Sequence, residues 1–125
     1  MDRMVCPFCN PHPDCIVTKN ALAYARFDAF PVTQGHILII PFRHVSSFFD
    51  ATDEERAALF DLVARCRTII EERYRPDGWN IGVNVGVAAG QTVMHLHLHL
   101  IPRYGGDVPD PRGGVRGVIP ERRVY

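Results

Sequence analysis

The longest regular run of apolar positions lies in the middle of the chain and predicts an α-helix. Thr52 is followed three residues later by Glu55, which is the pattern of a helix capping box. The apolar residues that follow recur at helical spacing, at Leu59, Leu62, Val63, Cys66, Ile69, Ile70 and Tyr74. The pattern stops at Pro76-Asp77-Gly78, which disfavours continuation of a helix. The sequence therefore predicts one long helix that ends before Pro76.

Shorter apolar segments on both sides of this helix predict β-strands. They cover residues 15–18, 22–27, 35–41, 79–85 and 94–102. The first two flank Lys19-Asn20, which predicts a hairpin, and the third is closed by Pro41, as expected for a short buried strand. Small residues between the last two predict a loop that can approach a ligand closely. Strands and helix in this order predict an α+β fold with a mostly antiparallel sheet.

Length and charge restrict the classes of protein to consider. The 125 residues suit a single domain, 1–125, in which residues 103–125 form a C-terminal tail rich in Gly, Pro and Arg. Fourteen basic and fourteen acidic residues balance, so we expect neither a nucleic-acid partner nor a membrane partner. There is no apolar run long enough to span a membrane, and the first six residues lack the apolar stretch of a signal peptide. These features predict a cytoplasmic protein.

The strongest chemical signal is the strict alternation His95-Leu96-His97-Leu98-His99. On a strand, alternation places the three imidazoles on one face, with roots about 6.5 to 7 Å apart, and the leucines on the other face. Three of the six histidines of the chain fall within these five residues, which favours a chemical role over a structural one.

This segment closely resembles the signature of the histidine-triad family, His-φ-His-φ-His-φ-φ, in which φ is apolar. The resemblance extends over about 90 residues, through segments 25–36, 37–44, 84–86 and 89–92 in the same order and around the same helix. It implies a fold with a mostly antiparallel five-stranded sheet, one long helix and one short helix. It also implies a homodimer that pairs the long helix and the sheet edges of two chains.

The resemblance further implies a nucleotide hydrolase that works through a covalent intermediate. The middle histidine, His97, would attack the α-phosphorus of a dinucleoside polyphosphate or a nucleoside-phosphate conjugate, and water would then release a nucleoside monophosphate. His99 and His36 would donate hydrogen bonds to the non-bridging phosphate oxygens. The orienting acceptor for the second nitrogen of His97 would be a backbone carbonyl that the sequence does not identify.

Substrate contacts are carried over from the same resemblance. The residues implied are Phe27, Asp28, Asn84, Gly90, Gln91, Thr92 and Arg103. Asp28 would bind the ribose hydroxyls, Phe27 and Ile37 or Leu38 would wall the base, and the amides of the Gly90 loop would help to bind phosphate. Arg103 follows the triad in a Pro-Arg-x-x-Gly-Asp segment like that of the dinucleoside-polyphosphate hydrolases, and with Arg112 and Arg116 it could meet the polyphosphate. The family resemblance favours adenine as the nucleobase of the substrate, although no residue in the sequence specifies the base directly.

The N-terminal segment 1–15 contains Cys6-Pro7-Phe8-Cys9, whose two-residue spacing is typical of a zinc knuckle. The branch of the family with this pair completes the site with residues that map to His44 and His95. His12 is a local competitor for His44. Two Cys and two His leave no open position, so the zinc would be structural.

Three other interpretations remain open. The three triad histidines could jointly bind a catalytic metal, the protein could be a nucleotide sensor or adaptor without turnover, or the substrate could be a nucleoside phosphoramidate.

Overall fold

A computed structural model describes residues 5–125 and contains one five-stranded antiparallel sheet and one α-helix. The elements are β1 (Thr18–Lys19), β2 (Ala23–Phe27), β3 (Ile37–Pro41), α1 (Asp53–Tyr74), β4 (Gly78–Val83) and β5 (Leu98–Arg103). The strand order is β1-β2-β3-β5-β4, and each neighbouring pair is antiparallel. The predicted α+β fold with one long helix is confirmed. The first four residues of the predicted knuckle segment lie outside the described part of the chain.

The two faces of the sheet bury different partners. Alternate residues of β2, β3 and β5 pack on α1, where the core contains Leu59, Leu62, Cys66 and Ile70. The residues between them, including Tyr24, Leu38 and Ile40, pack on Cys6 and Phe8 of the knuckle segment. A fully buried Leu or Ile contributes about 1.5–3 kcal/mol, so both faces stabilise the sheet. The knuckle segment therefore covers the face that α1 leaves open.

Helix α1 begins and ends where the sequence predicts. The Glu55 amide donates to Thr52 Oγ1 at 3.0 Å, and the Thr52 amide donates to Glu55 Oε1 at 2.9 Å. Glu55 also forms a 2.7 Å ion pair with Arg43, and this hydrogen-bonded guanidinium holds the pKa of the buried carboxyl below its usual range. At the other end Arg75 adopts the left-handed conformation, with φ of 54°, and its amide donates to the Glu71 carbonyl.

The predicted hairpin is confirmed, with strands shorter than expected. Asn20 accounts for the turn, because its side-chain oxygen accepts from the amides of Leu22 and Ala23 at 3.1 and 2.9 Å. Besides α1, the helical segments that the structure gives from Pro13 onward are short 3₁₀ helices of three to five residues, so the expected short helix is of this type. No helix of residues 5–125 is long and apolar enough to cross a membrane.

The predicted strand over residues 94–102 is also too long. Strand β5 begins at Leu98, so His95 and His97 precede the paired segment. The Leu96 amide donates to the Val45 carbonyl at 2.7 Å rather than to β4, because the chain bends at residues 93–95 before it joins the sheet. The leucines nevertheless face the core, with Leu96, Leu98 and Leu100 all buried.

Candidate active site and metal cluster

A cavity of about 440 Å³ lies on the sheet face that carries the knuckle segment. Two triad histidines line it, His97 immediately before β5 and His99 within β5. The complete lining is Pro7, Phe8, Arg26, Asp28, Ala29, Phe30, Leu38, Asn84, Gly90, Thr92, Val93, His97 and His99. The cavity thus joins residues from both ends of the chain around two imidazoles.

The protonated nitrogen of His97 is fixed by a backbone carbonyl. His97 Nδ1 lies 2.8 Å from the carbonyl oxygen of His95, which can only accept a hydrogen bond. Nδ1 therefore carries the proton when the ring is neutral, and Nε2 keeps its lone pair. The Phe8 ring contacts the His97 ring edge-on, with centroids 5.1 Å apart. The backbone acceptor that the sequence left unidentified is the His95 carbonyl.

His36 and His99 form a hydrogen-bonded chain whose direction follows from its first donor. The Val32 amide donates to His36 Nδ1 at 3.1 Å, so neutral His36 carries its proton on Nε2. His36 Nε2 lies 2.9 Å from His99 Nδ1, which must then accept. His99 consequently carries its proton on Nε2, where it can donate to a ligand.

Burial keeps this chain neutral. It lowers the pKa of His36, although the Asp28 carboxylate, 3.5 Å away, opposes the shift. Burial, with the neighbouring His97 and His36, lowers the pKa of His99 to about 4. At neutral pH the two imidazoles therefore act as a directed relay of hydrogen bonds rather than as cations.

A second cluster brings together four residues that suit zinc. The ligand atoms of Cys6, Cys9, His44 and His95 all lie within 4.8 Å of one another. Cys9 Sγ is 3.0 Å from His44 Nδ1, and Cys6 Sγ is 3.4 Å from His95 Nδ1. Ligands of tetrahedral zinc are about 3.3 to 3.8 Å apart, so two thiolates and two imidazoles at these separations fit the ion.

The surroundings of this cluster also favour metal binding. His95 is fully buried, and its Nε2 lies 2.8 Å from the Pro41 carbonyl, which must accept from it. Its Nδ1 is then the nitrogen that faces the thiols, with the outer hydrogen bond typical of a metal-bound histidine. His12 lies outside the cluster, where its exposed ring accepts from the Asp14 amide.

The three triad histidines do not converge on one point. His95 Nδ1 faces the cysteines, His97 Nδ1 faces a carbonyl, and His99 Nδ1 faces His36. Within the described chain, the ligand groupings separate His95 from His99. This arrangement argues against a catalytic metal held jointly by the triad.

Comparison with known proteins identifies the family. The HIT domain family model matches residues 10–106. The chain belongs to the HIT domain family.

Relatives of this HIT domain include two proteins named for dinucleotide enzymes. It is 39% identical over 93 residues to a Mycobacterium tuberculosis protein named AP-4-A phosphorylase. The aligned region covers 74% of this chain and 48% of that protein. It is 39% identical over 89 residues to an asymmetrical bis(5'-nucleosyl)-tetraphosphatase from Schizosaccharomyces pombe. The aligned region covers 71% of this chain and 49% of that protein. The chain thus spans about half the length of each.

A solved structure shares the fold over most of both chains. It is described as a zinc-bound histidine triad family protein from Mycobacterium smegmatis. The TM-score is 0.75 at 33% identity, and the match covers 87% of this chain and 86% of that one.

The HIT-domain cavity includes many of the residues expected from sequence. Asp28, Asn84, Gly90, Thr92, His97 and His99 all line it. His36 Nε2 is directed at His99; His36 does not line this cavity but lines a neighbouring one together with Asn84 and His99.

Phe27 lies on the wrong face to wall a base. In the β2–β3 register Phe27 pairs with Ile37, and both contact the core beneath α1, where Arg73 stacks on the Phe27 ring. Arg26 and Leu38 pair on the opposite face and line the cavity. Of the two alternatives for the second wall, Leu38 is therefore the one in the cavity.

Gln91 braces the loop instead of lining the cavity. Its side-chain oxygen accepts from the Gly86 amide at 2.9 Å, and its nitrogen donates to the Ser46 and Val93 carbonyls. The amides of Gly90 and Gln91 donate to carbonyls of the same loop, so they are not directed at a ligand. In this conformation the Gln91 side chain and these two amides are engaged within the loop, and their binding of phosphate stays a prediction.

The arginines of the C-terminal tail bind within the protein. Arg103 donates to Asp107 at 2.8 Å and to the Asn80 side chain at 2.7 Å. Arg112 pairs with Asp110, and Arg116 donates to the Arg122 carbonyl. None of the three lines the cavity beside His97.

Several cavity residues were missed by the sequence reasoning. Pro7 and Phe8 were considered only as part of the knuckle, and Arg26 was absent because only the facing of β2 reveals it. The alternation of Arg26 with Asp28 indicates that the two side chains point the same way, but it does not indicate which face of the sheet that is.

Proposed function

We propose that this HIT domain is a hydrolase that cleaves a nucleotide conjugate at the α-phosphorus through a nucleotidyl-His97 intermediate. The observation that carries the proposal is the hydrogen bond from His97 Nδ1 to the His95 carbonyl. It leaves the Nε2 lone pair as the nucleophile of a ring that lines the cavity. The names of the two dinucleotide enzymes support the same class of substrate.

The reaction would proceed in two displacements. His97 Nε2 forms a bond to the α-phosphorus while the bond from phosphorus to the bridging oxygen breaks, and the leaving group departs with that oxygen. Water then attacks the same phosphorus, the phosphorus–nitrogen bond breaks, and a nucleoside monophosphate is released. In each step one bond forms and one breaks: the leaving oxygen takes the first pair, His97 Nε2 recovers its lone pair in the second, and the attacking water gives its proton to solvent. The His95 carbonyl stabilises the positive charge on the ring.

Hydrogen-bond donors near His97 would stabilise the charge on phosphate. His99 Nε2–H would donate to a non-bridging oxygen, while His36 positions His99 through their 2.9 Å contact. Asn84 and Thr92 line the same end of the cavity and offer an amide and a hydroxyl to the phosphate or the leaving group. Asp28 would bind the ribose hydroxyls, as the family resemblance implies.

Cys6, Cys9, His44 and His95 would hold a structural zinc ion. When bound, zinc supplies a tetrahedral cross-link with no open position, and it provides no nucleophile. The residues themselves link the N-terminal segment to the chain just before the nucleophile, since His95 is both a member of the cluster and the acceptor for His97.

The proposal is tested with diadenosine tetraphosphate and an adenosine phosphoramidate as substrates. Products are followed by chromatography, and a covalent adduct is sought by mass spectrometry of protein denatured at alkaline pH, because acid cleaves a phosphorus–nitrogen bond to histidine. Wild-type protein should release AMP and carry an AMP adduct on His97, whereas His97→Ala should lose activity by several orders of magnitude. His12→Ala is the matched control, because His12 is exposed and outside both clusters.

Two outcomes would contradict this mechanism. AMP release by His97→Ala at the wild-type rate would remove His97 as nucleophile. Nucleotide binding without turnover by the wild-type protein would favour the sensor or adaptor function instead.

A nucleoside phosphoramidate is the second candidate substrate. The tail arginines expected to meet a polyphosphate are bound to Asp107, Asp110 and the Arg122 carbonyl instead. The nucleoside triphosphate that leaves a dinucleoside tetraphosphate would need several cations to balance its charge. An uncharged amine leaving group has no such requirement, and the same assay ranks the two substrates.

We also propose that two copies of this single domain associate in the cytoplasm through α1 and the β4 edge. Strand β4 is an edge strand, and Phe60 of α1 and Ile81 of β4 are both about half exposed on neighbouring surfaces. Sedimentation of the pure chain at twice its monomer mass would support this, and a monomer at micromolar concentration would refute it.

A further inference from the structure

Arg26 is the only lysine or arginine that lines the cavity beside His97 in the described chain. Its position follows from the sheet register, in which Arg26 pairs with Leu38 and Leu38 pairs with His99. The three side chains form one row across β2, β3 and β5. Neighbouring strands are about 4.8 Å apart, so the backbone of Arg26 is about 10 Å from that of His99. Arg26 thus stands at the far end of the cavity from the triad.

The surroundings of Arg26 suit a nucleobase better than a chain of phosphates. The cavity is also lined by the rings of Phe8 and Phe30 and by the side chain of Leu38, which pairs with Arg26 across β2 and β3. Asp28 follows directly after β2, two residues beyond Arg26, and it lines the same cavity. Apolar walls favour a flat ring, whereas a nearby carboxylate repels phosphate.

The guanidinium of Arg26 is available to a ligand. Among residues 5–125, no carboxylate forms an ion pair with it within 4.0 Å. It lies beside the Tyr24 hydroxyl, whose own O–H donates to the Phe8 carbonyl at 2.6 Å. Since a guanidinium has five N–H groups, this contact leaves donors for a bound base.

We propose that Arg26 selects the nucleobase and gives the site a preference for guanine over adenine. Guanine presents two adjacent acceptors, O6 and N7, which one arginine can bind through two parallel hydrogen bonds. Adenine presents N7 beside an amino group, and that amino group would oppose the N–H groups of Arg26. The inference rests on the proposed nucleotide function and adds the chemistry of base recognition to it.

The experiment measures binding of GMP and AMP to the zinc-loaded full chain by isothermal titration calorimetry. Wild-type protein should bind GMP about tenfold more tightly than AMP, the discrimination typical of one two-hydrogen-bond contact. Arg26→Met keeps the length of the side chain without its donors, so it should weaken GMP binding about tenfold and leave AMP nearly unchanged. Arg26→Lys retains the charge but loses the paired donors, and it should also lose most of the preference.

Arg65→Met is the matched control. Arg65 is a half-exposed arginine on α1, paired with Asp61 on the other side of the sheet, so its replacement should change neither affinity. Far-UV circular dichroism and thermal unfolding establish that each variant is folded.

The possible results separate this inference from the proposed function. Equal weakening of GMP and AMP by Arg26→Met would show a contact to phosphate or a structural role, and it would overturn base selection. Equal affinities in the wild-type protein would overturn it as well, with the nucleotide function intact. If neither nucleotide binds, the proposed function fails first and the inference falls with it.

Discussion

The pKa of His99 predicts that mild acid destabilises the folded protein. Burial lowers this pKa from an ordinary value of 6.5 to about 4. Between these two values the unfolded chain binds a proton that the folded chain does not, so stability falls as pH falls and levels off below about 4. From pH 7 to pH 5 the free energy of unfolding would fall by about 2 kcal/mol for a fully buried ring with this shift. For the partly exposed ring of His99 we expect a fall of about 1 to 2 kcal/mol.

The prediction is tested by comparing wild-type protein with His99→Asn in urea unfolding at pH 7, 6 and 5. Trp79 is the only tryptophan and lies in β4 beside β5, so its fluorescence reports unfolding of the sheet. The wild-type free energy of unfolding should fall by about 1 to 2 kcal/mol more than that of the variant over this range. His36 contributes in the same direction, because its pKa is also lowered by burial.

The comparison cancels contributions that the two proteins share. Acid also protonates the cysteine and histidine ligands of the zinc cluster, but that cluster is the same in both proteins and excess zinc is present throughout. His12→Asn serves as control, since His12 is exposed and should leave the wild-type pH dependence unchanged. If His99→Asn loses as much stability as wild type between pH 7 and pH 5, the assignment of a buried neutral His99 is refuted.

Two further predictions concern the positions of the knuckle segment and of the turn before β3. Tyr24→Phe should lower the free energy of unfolding by about 1 to 2 kcal/mol, because it leaves the buried Phe8 carbonyl without its donor. Thermal unfolding measures this change, and an unchanged melting temperature would contradict the prediction. Gly35→Ala should cost roughly 2 kcal/mol or more, since φ is +89° and the new Cβ would lie 3.0 Å from Tyr74 Cδ2. Gly82→Ala, where a Cβ meets no atom within 4 Å, is the control in urea unfolding, and equal midpoints for the two variants would refute the argument.

Features with local causes could be predicted from the sequence. The capping box at Thr52 and the helix stop before Pro76 depend on residues within one or two turns of each other, and both are present. The order of motifs around the triad was equally informative, since the family and its antiparallel sheet are confirmed. The end of β5 nearest the triad was not predictable, because the bend before Leu98 depends on a distant partner, Val45.

The facing of β2 could not be predicted because both faces of the sheet are buried. Tyr24 and Arg26 share one face and Ala25 and Phe27 the other, yet each face carries apolar residues, so hydrophobicity does not distinguish core from cavity. Phe27 was therefore placed in the cavity on the basis of the family resemblance alone. Only the pairing of Arg26 with Leu38, and of Leu38 with His99, decides which side chain meets the ligand.

The Cys6, Cys9, His44 and His95 cluster and the proposed nucleophile, His97, are joined more closely than spacing along the chain suggests. His95 Nδ1 faces the two cysteines, its Nε2 donates to the Pro41 carbonyl, and its own carbonyl accepts from His97 Nδ1. Phe8, held between Cys6 and Cys9, contacts the rings of both His95 and His97. His95 of the four-residue cluster therefore fixes the tautomer of His97, and Phe8 of the same N-terminal segment packs against the His97 ring, so the alternating histidines have different surroundings although they belong to one motif.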